Sequence, residues 1–439
     1  RSTPKPSSAA SDVYKRQLKN GCQAAKLVLY TNSNSSFELR DGKMDRLQQS
    51  TENGLGLNLY VDGRFGSFST NRLDKKELET LITNGIESTR YLAVDESRML
   101  ADPARYYKGG KPDLQLFDKK LYEVNPDDKV AIARAAAEEV LGKDERIISV
   151  DSSYSDGEGS SYRLISNGFE GESKSTWFSV SASVSIKGEG EARPQDYWYD
   201  SALFYDKLTK TGIGAKALER VLRKLGQKKA KSGKYTMVVD PMNVGNLLSP
   251  MLSALYGSAL QQKNSFLMDK LDTKVASDLF TLRDEPHAIG ANGSRYFDNE
   301  GVATEPRTVF DKGVLKTYFI DTYNGKKMDI APTISAPSRL ILTPGDKDLN
   351  GLVADIKQGI LVTGFNGGNS NSSTGDFSYG IEGFLIEDGK LTQPVNEMNV
   401  TGNMVTLWNS LVAVGNDPQP NRSWQIPSLV FEGVDFSGL

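Results

Sequence analysis

Residues 177–186 alternate without a break. Phe178, Val180, Ala182, Val184 and Ile186 fall on one side, and Ser179, Ser181, Ser183 and Ser185 on the other. A period of two belongs to a strand with one buried and one wetted face, which is the arrangement of an antiparallel sheet. The serine row then reads as a solvent face rather than the polar wall of a cleft. Leu55, Leu57, Leu59 and Val61 repeat the pattern, and Asp62-Gly63 behind them is a two-residue hairpin turn. Residues 26–30 and 36–40 are shorter strand candidates. Residues 146–155 and 160–167 form a pair joined by a turn at Asp156-Gly157.

Helices interrupt these strands. Asp74 is placed to cap a helix reaching Thr89, with Leu78, Leu81, Ile82 and Ile86 on one face. Pro126-Asp127-Asp128 opens a second that runs through Leu141 to Gly142, and a third spans 214–225. Residues 18–25 read as the end of another. Tyr197, Trp198 and Tyr199 are read as packing residues. The expected class is α+β. An N-terminal α+β domain covers 18–100, a middle α+β region with a loop-rich start covers 101–226, and a predominantly antiparallel, barrel-like β domain carrying a central helix covers 227–439. Residues 1–17 are Ser/Pro-rich without an apolar stretch, read as a disordered tail or an artefact.

Composition removes whole function classes. A net charge of −3 over 439 residues does not suit a nucleic-acid binder, and the run at Lys228, Lys229 and Lys231 reads as a solvated surface. No apolar run approaches the ~20 residues of a membrane span, so a soluble cytoplasmic protein is expected. Cys22 and His287 are the single cysteine and the single histidine. That argues against an intrinsic zinc site, which draws mostly on those two residue types.

The middle of the chain reads as a buried strand at Val238-Val239, a turn, and a helix. Leu248, Met251, Leu252, Leu255 and Ala259 recur at helical spacing. Pro250 suits a first helical turn and Ser249 before it an N-cap. Nothing on this helix binds a metal or moves a proton. Elsewhere, only His287 could serve a serine triad, and it reads as a loop histidine. Residues 364–370 have the glycine content of a phosphate loop without its Lys-Ser/Thr ending, and read as a mobile loop. No spacing singles out a carboxylate metal site.

From about Lys19 onward the chain resembles the TldD/TldE (PmbA) family, the TldE (PmbA) branch above all. The residues that carry the likeness are Phe37 to Asp45, Gly54-Leu55-Gly56-Leu57, the helix Ala254 to Leu267, Phe297-Asp298-Asn299-Glu300-Gly301-Val302, Gly313-Val314-Leu315-Lys316-Thr317-Tyr318, Gly375-Asp376-Phe377-Ser378 and Val414-Gly415-Asn416-Asp417. The resemblance implies the following. TldD-type members carry His-Glu-x-x-x-His on this helix and a late cysteine, which together hold zinc and activate water. Here Ser249 and Ala254 stand at the histidine positions and Pro250 at the glutamate. Residues 421–427 offer no cysteine. The resemblance therefore implies a non-catalytic TldE-type subunit without cofactor of its own. Its partner would be a TldD-type metallopeptidase bearing the zinc, and its substrates unfolded peptides. No nucleic acid or membrane partner is implied, despite the family's older label, modulator of DNA gyrase. The alternatives are a stand-alone peptide-binding homodimer and a hydrolase built on His287 or on carboxylates.

Overall fold

The computed structural model describes residues 21–439. The tail read at 1–17, and residues 18–20 of the expected helix end, lie outside the described residues. Ala24 and Ala25, at the close of that segment, are in a strand and not a helix.

The N-terminal half forms one antiparallel sheet. Its strands are β1 (Ala24–Arg40), β2 (Lys43–Val61), β3 (Arg64–Thr70), β4 (Ile147–Ile165), β5 (Phe169–Ile186) and β6 (Gln195–Ala202), ordered β3-β2-β1-β4-β5-β6. Turns with positive φ at both central residues, Asp41-Gly42 and Asp62-Gly63, set the first two hairpins. Three helices cover the sheet: α1 (Lys75–Thr89), α2 (Pro126–Glu138) and α3 (Ile213–Leu222). The Asp74 side chain caps α1 as expected, accepting from Glu77 N at 3.1 Å. Leu78, Ile82 and Ile86 of α1 pack on Leu55, Leu57, Leu59 and Val61. Helices α2 and α3 pack on the apolar row of β5.

Two pairs of expected strands are single long ones. Residues 26–30 and 36–40 belong to β1, because the polar stretch between them is paired on both sides, to β2 and to β4. A strand with hydrogen-bonded neighbours does not need apolar side chains throughout. Residues 146–155 and 160–167 likewise join in β4, and Gly157 is no turn. A Cβ there would lie 2.4 Å from the Ser33 carbonyl and 2.9 Å from the Trp177 ring nitrogen. The glycine serves close approach between strands.

The C-terminal half begins with β7 (Gly233–Val239), α4 (Val244–Ser253) and α5 (Gly257–Gln261). Next come β8 (Leu282–Asp284), β9 (Arg307–Asp311), β10 (Val314–Leu315), α6 (Thr322–Met328), β11 (Leu340–Leu342) and α7 (Leu349–Ala354). It ends with β12 (Gln358–Ser370), β13 (Asp376–Glu387), β14 (Lys390–Asn403), α8 (Met404–Asn409), β15 (Leu411–Val414), β16 (Trp424–Gln425) and β17 (Leu429–Ser437). Strands β14, β13, β12, β7 and β17 are linked in that order, and β14 pairs back to β17. The five close into a barrel, antiparallel except for β7 beside β12. The mixed α+β class and the barrel-like C-terminal half are as expected. A second sheet, β10-β9-β8-β11-β16, packs into the same core.

Three expectations fail in this half. The glycine-rich stretch 364–370 is not a loop but the far end of β12, paired to β13. The strand expected over 301–310 is confined to β9, because the N–H groups of Val302, Ala303 and Thr304 go to Asp298 Oδ1, the Arg105 carbonyl and the Tyr296 carbonyl instead of a ladder. The third concerns the central helix.

Candidate functional site

The central helix starts earlier than its sequence implied. Helix α4 runs Val244–Ser253 with Asn243 at the N-cap, so Ser249 is not a cap and Pro250 sits in the helix interior. Pro250 deletes the bond that its N–H would have made to the Asn246 carbonyl. The turn before the helix supplies its anchor. The Asn243 amide nitrogen donates to Asp240 Oδ1 at 2.7 Å and to the Thr363 carbonyl at 2.8 Å, tying the helix start to the end of β12.

Val244, Leu247, Leu248, Met251 and Leu252 are buried, while Asn246, Ser249 and Ser253 face outward. Ala254 caps the end and is 1 % exposed. Ser249 is exposed and Ala254 buried, so in this chain the two do not face a common opening. Beyond Ala254 the helix breaks. Tyr256 is extended, Gly257 N donates to the Phe319 carbonyl at 2.8 Å, and α5 begins there. Ala259, placed on the apolar face from sequence, is half-buried, and Leu260 takes the buried position.

Residues 421–427 run alongside β11 through β16. Arg422 lies 4.5 Å over the Tyr199 ring, and the Ser423 carbonyl accepts from Leu340 N at 3.0 Å. These side chains do not fit a zinc ion at the family's position. Ser249 points outward, Pro250 carries no acid, Ala254 is a buried methyl, and no thiolate follows. Among the described residues, no group of three or more His, Cys, Asp and Glu side chains is placed to hold a metal.

His287 is half-buried, with its ring 5.0 Å from that of Tyr296 and Nε2 3.0 Å from Thr304 Oγ1. Thr304 spends its hydroxyl proton on the Arg295 carbonyl, 2.5 Å away. Nε2 must then carry a proton and donate, so the imidazole is no base toward that hydroxyl. Burial and nearby Lys111 hold its pKa below the ordinary value. Among the described residues no carboxylate bonds to it, and the triad geometry of a hydrolase is not assembled there.

Sequence reasoning missed two charged sites. The first surrounds Asp240. Arg220 Nη1 lies 3.9 Å from Asp240 Oδ2, and Arg220 Nε 3.2 Å from Asp196. Lys224 bridges Asp196 at 3.2 Å and Glu382 at 2.7 Å. This buried network joins α3 and β6 to the barrel beside a cavity of about 510 Å³ lined by Trp198, Arg223, Met242 and Asp417 among others. Burial pushes the Asp240 carboxyl up to about 6, against its bonds from Asn243 and the Arg220 charge. An acid directly after the apolar run Val238-Val239 was the available signal. The second site is a cavity of about 440 Å³ between the far ends of β4 and β5, loop residues 107–116 and residues 294–299. Its strand residues looked like ordinary sheet, so only the fold assembles it. Among the described residues, no helix is long and apolar enough to cross a membrane.

Three family models match the chain: PmbA/TldA metallopeptidase domain 1 over residues 25–89, the central domain over 119–225 and the C-terminal domain over 232–438. A metalloprotease PmbA homolog of Haemophilus influenzae is 27 % identical, covering 94 % of this chain and 92 % of that protein. The metalloprotease PmbA of Escherichia coli O157:H7 is 26 % identical, with the same coverage. A crystal structure of a modulator of DNA gyrase from Bacteroides thetaiotaomicron superimposes with a TM-score of 0.98 at 71 % identity, each chain covered fully. TldE from Thermococcus kodakarensis superimposes at 0.84 with 20 % identity, covering 98 % of this chain and 100 % of that one, a likeness of fold.

Proposed function

The chain belongs to the PmbA/TldA metallopeptidase family, and we propose that within it this chain is a non-catalytic, TldE-type subunit. It pairs with a TldD-type zinc metallopeptidase to enclose a chamber in which unfolded peptides are cleaved, in the cytoplasm. The partner brings the zinc. This chain brings walls and peptide contacts.

One observation carries the reading. Every position that would hold the metal or activate water is filled by a residue unable to do so: Ser249, Pro250, Ala254 and the cysteine-free residues 421–427. A single loss could mark an altered site, but the loss of two imidazoles, a thiolate and the base together leaves no Lewis acid and no activated water. The relatives' names speak of metalloproteases. In this chain the same helix offers packing, with Ala254 in the core.

The test is a peptidase assay of the purified chain, alone and mixed with a TldD-type partner, with zinc measured on each. The expected result is no zinc and no cleavage by the chain alone, and cleavage by a one-to-one complex on mixing. Stoichiometric zinc in this chain, cleavage by it alone that His287→Ala abolishes, or no gain on mixing would overturn the proposal.

A further inference from the structure

The cavity between β4, β5, loop 107–116 and residues 294–299 is lined by four cations: Lys111, Arg163, Lys174 and Arg295. Only Lys174 has a carboxylate within ion-pair distance among the described residues, Glu158 at 3.0 Å. The acids in the lining, Asp113 and Glu172, are exposed at its rim. The buried acid nearby, Asp298, spends its oxygens on the backbone N–H groups of Glu300, Val302 and Ser335. Arg295 is held by Ser338 Oγ and by the carbonyls of Ala336 and Pro337, so its charge is fixed in place without a direct ion pair.

Arg163 is the one of the four with a buried donor left over. Its Nη atoms make two long bonds, 3.2 Å to the Asp298 carbonyl and 3.3 Å to Asn299 Oδ1. Its Nε is buried with no partner, an arrangement that costs stability unless something else accepts from it. Lys26, on the neighbouring strand, donates to the Asn299 carbonyl and has no acid partner. Burial and the Arg163 charge press its ammonium down to about 8, against the charges of Glu300 and Asp298. Asp298 and Glu300 act on these cations only from a distance, and cations packed together without a direct ion pair are unfavourable in the empty protein and favourable once an anion arrives.

The opposite wall is aromatic. Tyr107 and Tyr296 stack at 5.1 Å with their planes 11° apart, and the Tyr296 hydroxyl is fixed on the Pro112 carbonyl. Lys111 Nζ sits 5.3 Å over the Tyr296 ring. A single planar guanidinium suits a carboxylate, and the ring pair suits an apolar side chain attached to it. About 440 Å³ admits the end of a chain, not a folded partner.

We propose that this cavity receives the free C-terminal carboxylate of an unfolded peptide, with Arg163 and Lys111 meeting the carboxylate and the Tyr107–Tyr296 pair receiving the last side chain. The assignment rests on the reading of this chain as a peptide-handling subunit, and its test is kept separate from that reading.

Fluorescence anisotropy on the purified full chain, without partner, compares one unstructured labelled peptide ending in Phe as the free acid and as the C-terminal amide. The acid is expected to bind about ten- to a hundredfold more tightly, the span of a charged hydrogen bond. Arg163→Gln, and separately Lys111→Ala on the exposed loop, are each expected to erase most of that preference with the melting temperature unchanged for the loop variant. Equal binding of acid and amide, no binding of either at millimolar peptide, or a preference that survives both substitutions overturns the assignment. Inorganic phosphate that displaces the peptide at equal concentration overturns it in favour of a general anion site. Stimulation of a TldD-type partner by a chain that binds acid and amide alike sinks the cavity assignment alone. Acid preference without stimulation sinks the subunit reading alone.

Discussion

Placing histidines and a glutamate on the central helix, at the positions marked by the resemblance to TldD-type members, tests the proposal of a non-catalytic subunit. The perturbation is Ala254→His, alone and combined with Ser249→His and Pro250→Glu. Ala254 is 1 % exposed, its N–H donates to the Pro250 carbonyl at 3.1 Å, and its own carbonyl accepts from Ser265 Oγ at 2.6 Å. An imidazole there must displace packed neighbours, at about 1–3 kcal/mol. It also brings two ring nitrogens into the core, at about 1–3 kcal/mol for each one left without a partner. With one nitrogen left unpartnered, the total of about 2–6 kcal/mol is a large share of the ~5–15 kcal/mol that keeps a domain folded. Ser249→His, on the outward face, is expected to change stability by less than about 0.5 kcal/mol. Pro250→Glu restores an N–H for the Asn246 carbonyl and is expected to stabilise the helix. Urea unfolding followed by circular dichroism gives the free energies, and metal analysis after dialysis gives the zinc. The triple variant is expected to be less stable than the parent and to hold no stoichiometric zinc, since Ala254 is turned into the core and residues 421–427 still offer no thiolate. An Ala254→His chain as stable as the parent, or a triple variant that binds zinc one to one, would refute the reasoning.

Two further outcomes follow from buried charge. The Asp240 carboxyl, raised to about 6 by burial, is favoured in its protonated form in the folded chain, so its contribution is complete below pH 3.8 and is lost as pH rises through 6. Asp240→Asn should therefore gain stability relative to the parent by up to about 3 kcal/mol between pH 4 and pH 7, read as the difference in melting temperature at pH 4.5 and pH 7.5; a constant difference counts against it. Lys129 Nζ and Asp156 Oδ2 lie 2.6 Å apart in the sheet core, with the Tyr154 hydroxyl also on Asp156 at 3.1 Å. Lys129→Met should cost about 3–5 kcal/mol by stranding the acid, and Lys129→Met with Asp156→Leu should recover much of it; a double variant no better than the single one in urea refutes the account.

Periodic elements were legible from sequence wherever burial has two faces. The row Phe178 to Ile186 and the row Leu55 to Val61 each show the alternation that the sheet uses. The hairpin turn at Asp62-Gly63 was legible because an Asp-Gly pair tolerates the positive φ seen at both residues. What escaped was pairing between strands distant in sequence. The polar middle of β1 and the Asp156-Gly157 step look like loop until β4 is laid beside β1, where Gly157 makes room for Ser33. The same reason hid the aromatic and cationic cavity: Arg163 and Tyr296 are far apart along the chain and meet only through sheet register and loop 107–116. Absence of chemistry needs no contact information, so the emptiness of positions 249, 250 and 254 was visible at once, whereas the burial of Ala254 was not.

That burial changes what the empty helix means. A helix that offers no metal ligands must be fixed by other contacts. Here the fixing is done by hydrogen bonds at both ends. Asp240 and Asn243 hold the start to β12, and Arg220 ties Asp240 to the sheet half of the molecule. Ser265 holds the Ala254 carbonyl, and Gly257 and Leu255 bracket Phe319 at the other end. Between them Val244, Leu247, Leu248, Met251 and Leu252 close the barrel core. A helix pinned in this way keeps its place without a metal.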